Sequence, residues 1–211
     1  MKLTLIIALI VSLTACQSAY YSAWEKLGVE KRDILVDRVE DAKNSQEDAQ
    51  QQFSSALAQF SQLINFKGGE LQDVYEQLKD EYEASDESAS RVSSRIDKVE
   101  GVADALFDEW QDELEKYSSK TLRRDSEKKL KDTQRRYNSL LKSMRRAESK
   151  MAPVLSALQD NVLYLKHNLN ASAVGALQGE FNGIKQEIEQ LVKEMKMAIS
   201  QSNDFISSMK S

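Results

Sequence analysis

The feature that most limits this chain is an apolar spacing that alternates between three and four residues along most of its 211 residues. Leu35, Val39, Ala42, Gln46, Ala49, Phe53, Ala56, Phe60 and Leu63 keep the alternation. Leu71, Tyr75, Leu78, Tyr82, Ser85, Ala89, Val92, Ile96, Val99, Ala103, Leu106 and Trp110 resume it. A third run follows Leu130, Thr133, Tyr137, Leu140, Met144, Ala147, Met151, Val154 and Leu158. A fourth follows Leu177, Phe181, Ile184, Ile188, Leu191, Met195, Ala198, Ser202, Phe205 and Met209. Such a stripe runs along one side of an α-helix, and only other helices can cover it over that length. Composition agrees. The chain has 7 Gly and 1 Pro, where average usage gives about 15 and 10. A sandwich or barrel needs more turns than that. Near-balanced charge, with 29 basic against 34 acidic residues, argues against an acidic disordered chain.

The breaks between runs predict helices over about 30–66, 70–117, 120–168 and 172–209. At about 1.5 Å per residue they are arms of roughly 55–75 Å. The predicted fold is all-α: one domain over 30–211, an elongated antiparallel bundle of about four long coiled-coil-like helices. Lys67-Gly68-Gly69 is a strong stop-and-turn signal. Tyr117-Ser118-Ser119 is a weak one, which leaves open a single rod from Glu70 to about Lys150. Pro153 either starts a helix or kinks one. Asn170 or Ser172 suits the cap of the last helix. Tyr20 to Leu27 reads as a short helix closed by Gly28.

The first residues read differently. Met1-Lys2 is basic, and Leu3 to Ala15 is an apolar run interrupted only by Thr4, Ser12 and Thr14. It is too short to span a bilayer, which takes about 20 residues, and fits the apolar core of an export signal. Leu13-Thr14-Ala15-Cys16 closes it and resembles the lipobox of a bacterial lipoprotein. The resemblance implies a signal peptide over 1–15, acyl chains on Cys16, and a lipidated segment over 16–29. More than one acyl chain would anchor the chain stably. A plain secretory signal or a buried free cysteine is the alternative. Gln17 is not the Asp that commonly retains such proteins at the inner membrane. The resemblance therefore favours the inner leaflet of the outer membrane, facing the periplasm.

Charge is unevenly spread. Residues 69–115 carry 16 acidic and 4 basic residues, a net of −12, and residues 116–150 carry 4 and 13, a net of +9. One reading is that the acidic and basic arms lie side by side and their charges set the pairing. The other is that Arg123, Arg124, Lys128, Lys129, Lys131, Arg135, Arg136, Arg145 and Arg146 hold an anion. In an envelope protein that anion would be a lipid headgroup or a lipopolysaccharide phosphate. Nucleic acid suits the charge alone, but the export signal argues against it, and no nucleic-acid module is visible.

The usual residues of catalysis are missing. Beyond Cys16 there is no cysteine, and His167 is the sole histidine. HExxH, CxxC, GxSxG and GxxxxGK[ST] are all absent. Neither an enzyme nor a cofactor is expected, and no small-molecule substrate is identified. His167 alone reads as a capping or packing residue. Gly175, Gly179 and Gly183, spaced by four, read as a tight helix crossing, since the polar residues between them disfavour membrane insertion.

Four stretches together resemble a proteobacterial lipoprotein family known as a domain of unknown function. These are Tyr20 to Gly28 with Lys31-Arg32-Asp33, Phe107-Asp108-Glu109-Trp110, Met151 to Leu155, and Leu165-Lys166-His167-Asn168-Leu169-Asn170-Ala171. The resemblance spans nearly all the chain after the signal and implies an α-helical envelope protein without defined catalytic residues. Some members carry the label DNA repair ATPase, which the absence of a nucleotide-binding motif here does not support. The expected function is a non-catalytic structural or interaction module, held to the membrane by its lipid anchor. It would meet an envelope protein or its own copies through Tyr20, Tyr21 and Trp24. The alternative is an anionic-lipid-binding module that uses the basic 120–146 helix.

Overall fold

The computed structural model describes residues 28–65 and 71–210. They form five helices and no strand among the described residues: α1 (Lys31–Ile64), α2 (Leu71–Leu114), α3 (Lys120–Ser149), α4 (Met151–His167) and α5 (Ala171–Lys210). The fold is an all-α bundle. α3 and α4 follow one another as a single column, so the five helices make four columns.

The chain turns near Tyr117-Ser118-Ser119, as the predicted break requires, and the alternative of a single rod from Glu70 to about Lys150 does not form. α2 ends at Leu114, and the chain turns back into α3. The Ser119 hydroxyl accepts a hydrogen bond from the Leu122 N–H at 3.4 Å, capping an otherwise unpaired donor. The expected single helix over 120–168 is also interrupted, at Lys150. The cause is Pro153, which has no N–H to give the Ser149 carbonyl four residues back and crowds that carbonyl with its ring. Lys150 keeps right-handed helical angles (φ −84°, ψ −13°), so the column continues after one residue. At the far end, Asn170 caps α5 by accepting from the Ala173 N–H at 3.1 Å. Gly28 has φ +80°, a conformation that suits glycine. The expected short helix before it, and the turn at Gly68-Gly69, lie outside the described residues.

Side-chain pairs give the register. Gln52 donates to Glu81 at 2.6 Å and Arg95 pairs with Asp41 at 2.9 Å, so α1 and α2 are antiparallel. Phe60 stacks on Phe181, with ring centroids 5.6 Å apart, and Gln178 donates to the Ile64 carbonyl at 2.8 Å. α5 is thus antiparallel to α1 and satisfies one of its last free carbonyls. Arg146 meets Glu194, and Tyr137 meets Phe205, fixing α3 against α5. The broadest interfaces join α1 to α2 and α1 to α5, and α3–α4 lies diagonally across from α1.

All nine expected stripe positions of α1 are buried. One of them is polar: Gln46 is fully enclosed and neither of its amide atoms has a partner. The glycine trio departs from expectation. Gly175, Gly179 and Gly183 are exposed, and a Cβ built on any of them would meet nothing within 4 Å. They form no tight crossing, because they lie off the stripe that Leu177, Ile184 and Ile188 bury.

Two expectations follow for stability. Gly175→Ala, Gly179→Ala and Gly183→Ala each stabilise the bundle by about 1 kcal/mol, the helix-propensity difference, since no neighbour opposes the methyl. Gln46→Leu stabilises by about 1–3 kcal/mol by removing unpaired buried polar atoms. Urea unfolding with an unchanged slope and a raised midpoint is the check.

Candidate functional site

The same register places one end of the bundle in relief. Lys31 at the start of α1 pairs with Glu109 at 3.2 Å, and Trp110 Nε1 donates to the Ser126 hydroxyl at 2.8 Å. The start of α1, the end of α2 and the start of α3 therefore share one end. From the Tyr137–Phe205 pair, Lys210 at the end of α5 falls level with about residue 132 of α3. α3 begins at Lys120, so the α2–α3 hairpin runs past Lys210 by roughly 18 Å. It carries two exposed apolar side chains, Tyr117 and Leu122.

The basic residues begin on this hairpin and continue down α3. Most are already paired. Arg123 meets Glu115 at 2.5 Å, Lys129 meets Asp125 at 3.1 Å, and Lys131 meets Glu127 at 2.5 Å. Arg135 pairs with Asp132. The Glu127 carboxyl is held below its ordinary pKa by the hydrogen bond from Lys131 and then by its charge. Arg145 reaches across to α2, pairing with Asp97 at 2.6 Å and with Glu100, and also with Glu148 at 2.8 Å. Partial burial works against the charge of Arg145, but its hydrogen bonds to Glu148 and Asp97 outweigh this, so its pKa stands above the ordinary value. Arg146 pairs at 2.8 Å with Glu194, whose side chain is only 5% exposed.

Arg124, Lys128 and Arg136 are exposed and have no ion pair among the described residues. Arg124 and Lys128, with Lys131 and Arg135, line an open groove of about 610 Å³ along this face. Residues 124, 128, 131 and 135 follow the four-three spacing of one helix face. What the arrangement offers is an exposed cationic face next to an apolar tip. It assembles no nucleophile and base.

Among the described residues, side-by-side pairing of the acidic and basic arms operates at two points, Arg145 on α2 and Arg123 on Glu115, while Lys129, Lys131 and Arg135 use acids of their own helix. Cys16, Tyr20, Tyr21 and Trp24 lie outside the described residues. His167 is exposed at the end of α4, where the cap is made by neighbouring Asn168, whose N–H bonds the Leu165 carbonyl. The sequence reading passed over Tyr117 and Leu122. Extended back from Leu130, the α3 alternation meets Ser126 and then Arg123, so Leu122 lies outside it, and it is exposed on the hairpin.

Among the described residues no helix is long and apolar enough to cross a membrane, and no three His, Cys, Asp or Glu side chains gather as metal ligands. Comparison with curated proteins and with solved structures gives no match. The model of one family, described as protein of unknown function (DUF2959), matches residues 20–209. That is nearly the whole bundle, and the chain belongs to this family.

Proposed function

We propose that this chain is a lipid-anchored envelope protein, tethered through Cys16 at the inner leaflet of the outer membrane. In this reading it serves as a non-catalytic structural or interaction module. The observation that carries the reading is the shared end of the bundle. Lys31, the first helical residue described, lies beside the α2–α3 hairpin. A tether fifteen residues upstream, at Cys16, would hold that end near the membrane. The bundle, about 60 Å long by its helix rise, would then project into the periplasm. Its exposed helix faces would meet an envelope protein or further copies of the chain.

The unpaired Arg124, Lys128 and Arg136 favour a second reading of the same end, contact with anionic headgroups. Cationic side chains flanking an exposed Tyr and Leu suit the boundary between headgroups and acyl chains. The two readings are compatible, since the headgroup contact would orient a tethered bundle.

Labelled palmitate fed to cells is expected to enter the wild-type protein and not Cys16→Ser; equal labelling would overturn the anchor. Crosslinking in intact cells is expected to trap a defined envelope partner or a second copy. For headgroup contact, Cys16→Ser protein is expected to bind vesicles containing anionic lipid. Replacing Arg124, Lys128 and Arg136 by Gln should weaken that binding about a hundredfold, from about 1 kcal/mol per cation near an anionic surface. Folding should be unchanged in that triple variant. Arg146→Gln should instead lower stability by on the order of 1–3 kcal/mol, because it strips the buried Glu194 of its partner, with little effect on vesicle binding.

A further inference from the structure

The α2–α3 hairpin outruns α1 as well as α5. Lys31, the first residue of α1, pairs with Glu109, and Trp110 meets Ser126. α1 therefore begins level with about residue 127 of α3, roughly 10 Å short of Lys120. Neither α1 nor α5 reaches the stretch beyond, where Tyr117 and Leu122 are 41% and 59% exposed. Large apolar side chains of that kind favour a cover that takes them out of water.

The chain itself arrives at this point. Val29 packs half-buried against the core, and Gly28 before it has φ +80°. A glycine in that left-handed conformation is a common stop at the end of a helix. Upstream, Tyr20, Trp24 and Leu27 keep a four-three spacing, and Ser22, Glu25 and Lys26 fall on the opposite side. Eight helical residues measure about 12 Å, close to the length of hairpin left uncovered past α1. So short a helix is not stable alone in water and needs a surface to fold on.

We propose that residues 20–27 form a short helix that docks on the α2–α3 hairpin, laying Tyr20, Trp24 and Leu27 against Tyr117 and Leu122. Two of the aromatics expected from the sequence to meet a partner are then taken up by the chain itself. Where Cys16 carries the anchor, as proposed above, only four steps of chain separate it from the docked helix, at most about 14 Å. The strap thereby holds Arg124 and Lys128 at a fixed distance from the acyl chains.

The test uses residues 16–211 with Cys16→Ser, which carry no cysteine and no acyl group. Ala23→Cys with Leu122→Cys is expected to form a disulfide within one chain under mild oxidation. Ala23→Cys with Leu163→Cys is not, since Leu163 is also exposed but lies about 60 Å farther along the column. In a Trp110→Phe background Trp24 is the sole tryptophan. Acrylamide is expected to quench it several-fold less than it quenches a peptide of residues 17–28. Tyr117→Ser with Leu122→Ser, both exposed positions, should restore the peptide's quenching with the bundle's helix content unchanged. Quenching already at the peptide's level, no change in the double variant, or equal disulfide yield with Leu163 would overturn the docking. A disulfide between two chains would assign the hairpin to a second copy, and protection of Trp24 only with anionic vesicles would assign it to the membrane; either outcome overturns it. Failure here leaves the palmitate test of Cys16 standing, and a failed palmitate test leaves the docking standing.

Discussion

The bundle depends on the burial of α1. An isolated helix leaves its stripe in water, and α1 covers its stripe against α2 on one side and α5 on the other. Its two stripe positions differ in size. Ala42, Ala49 and Ala56 recur every seven residues on one side, with Phe53 and Phe60 seven apart on the other, and all are fully enclosed. Small residues bring one neighbour close, and rings fill the space toward another. α3–α4 does not share this seam broadly and instead closes the opposite corner of the bundle, where Tyr137 packs between Phe107 and Phe205. Burial, and then the negative charge of Asp104, pushes the Tyr137 hydroxyl above its ordinary pKa. The phenol therefore sits in that corner as a neutral, mainly apolar group.

Periodicity made the columns legible because one stripe per helix is what a bundle needs, and α1 shows this at every expected position. It missed residues beside the stripe: Val102, Phe107 and Leu114 on α2, Val162 on α4, Ile206 on α5. These are buried because α2 touches α1, α3 and α4, and α5 does the same from the other side. A helix with several neighbours buries a wider arc than a two-helix seam, and one helix's spacing does not say how many neighbours it has. The glycine trio was misread for another reason. Steps of four drift about 40° round a helix each time, and the trio already stood out of phase with Leu177, Ile184 and Ile188. Its spacing resembled a crossing, but its phase pointed outward. Asn161 and Leu165 carry the α3–α4 alternation on, three and seven residues past Leu158, and both are buried; the run read from the sequence stops at Leu158.

Charge counted along the chain overstates what α3 presents. Of the net +9 over 116–150, Arg123, Arg145 and Arg146 are met by acids outside the run, while Lys129, Lys131 and Arg135 pair three or four residues away with acids of their own helix that the net already counts. Such exposed pairs add little stability, since both side chains remain hydrated. Arg146 is different: it is itself well exposed but ends on a buried carboxylate, so its removal acts on the partner more than on itself. Within one basic run, then, some positions hold the fold, others neutralise their own helix, and others, Arg124, Lys128 and Arg136 among them, face outward without an ion pair among the described residues. Sequence count cannot separate these roles; the register between α3 and α5 does.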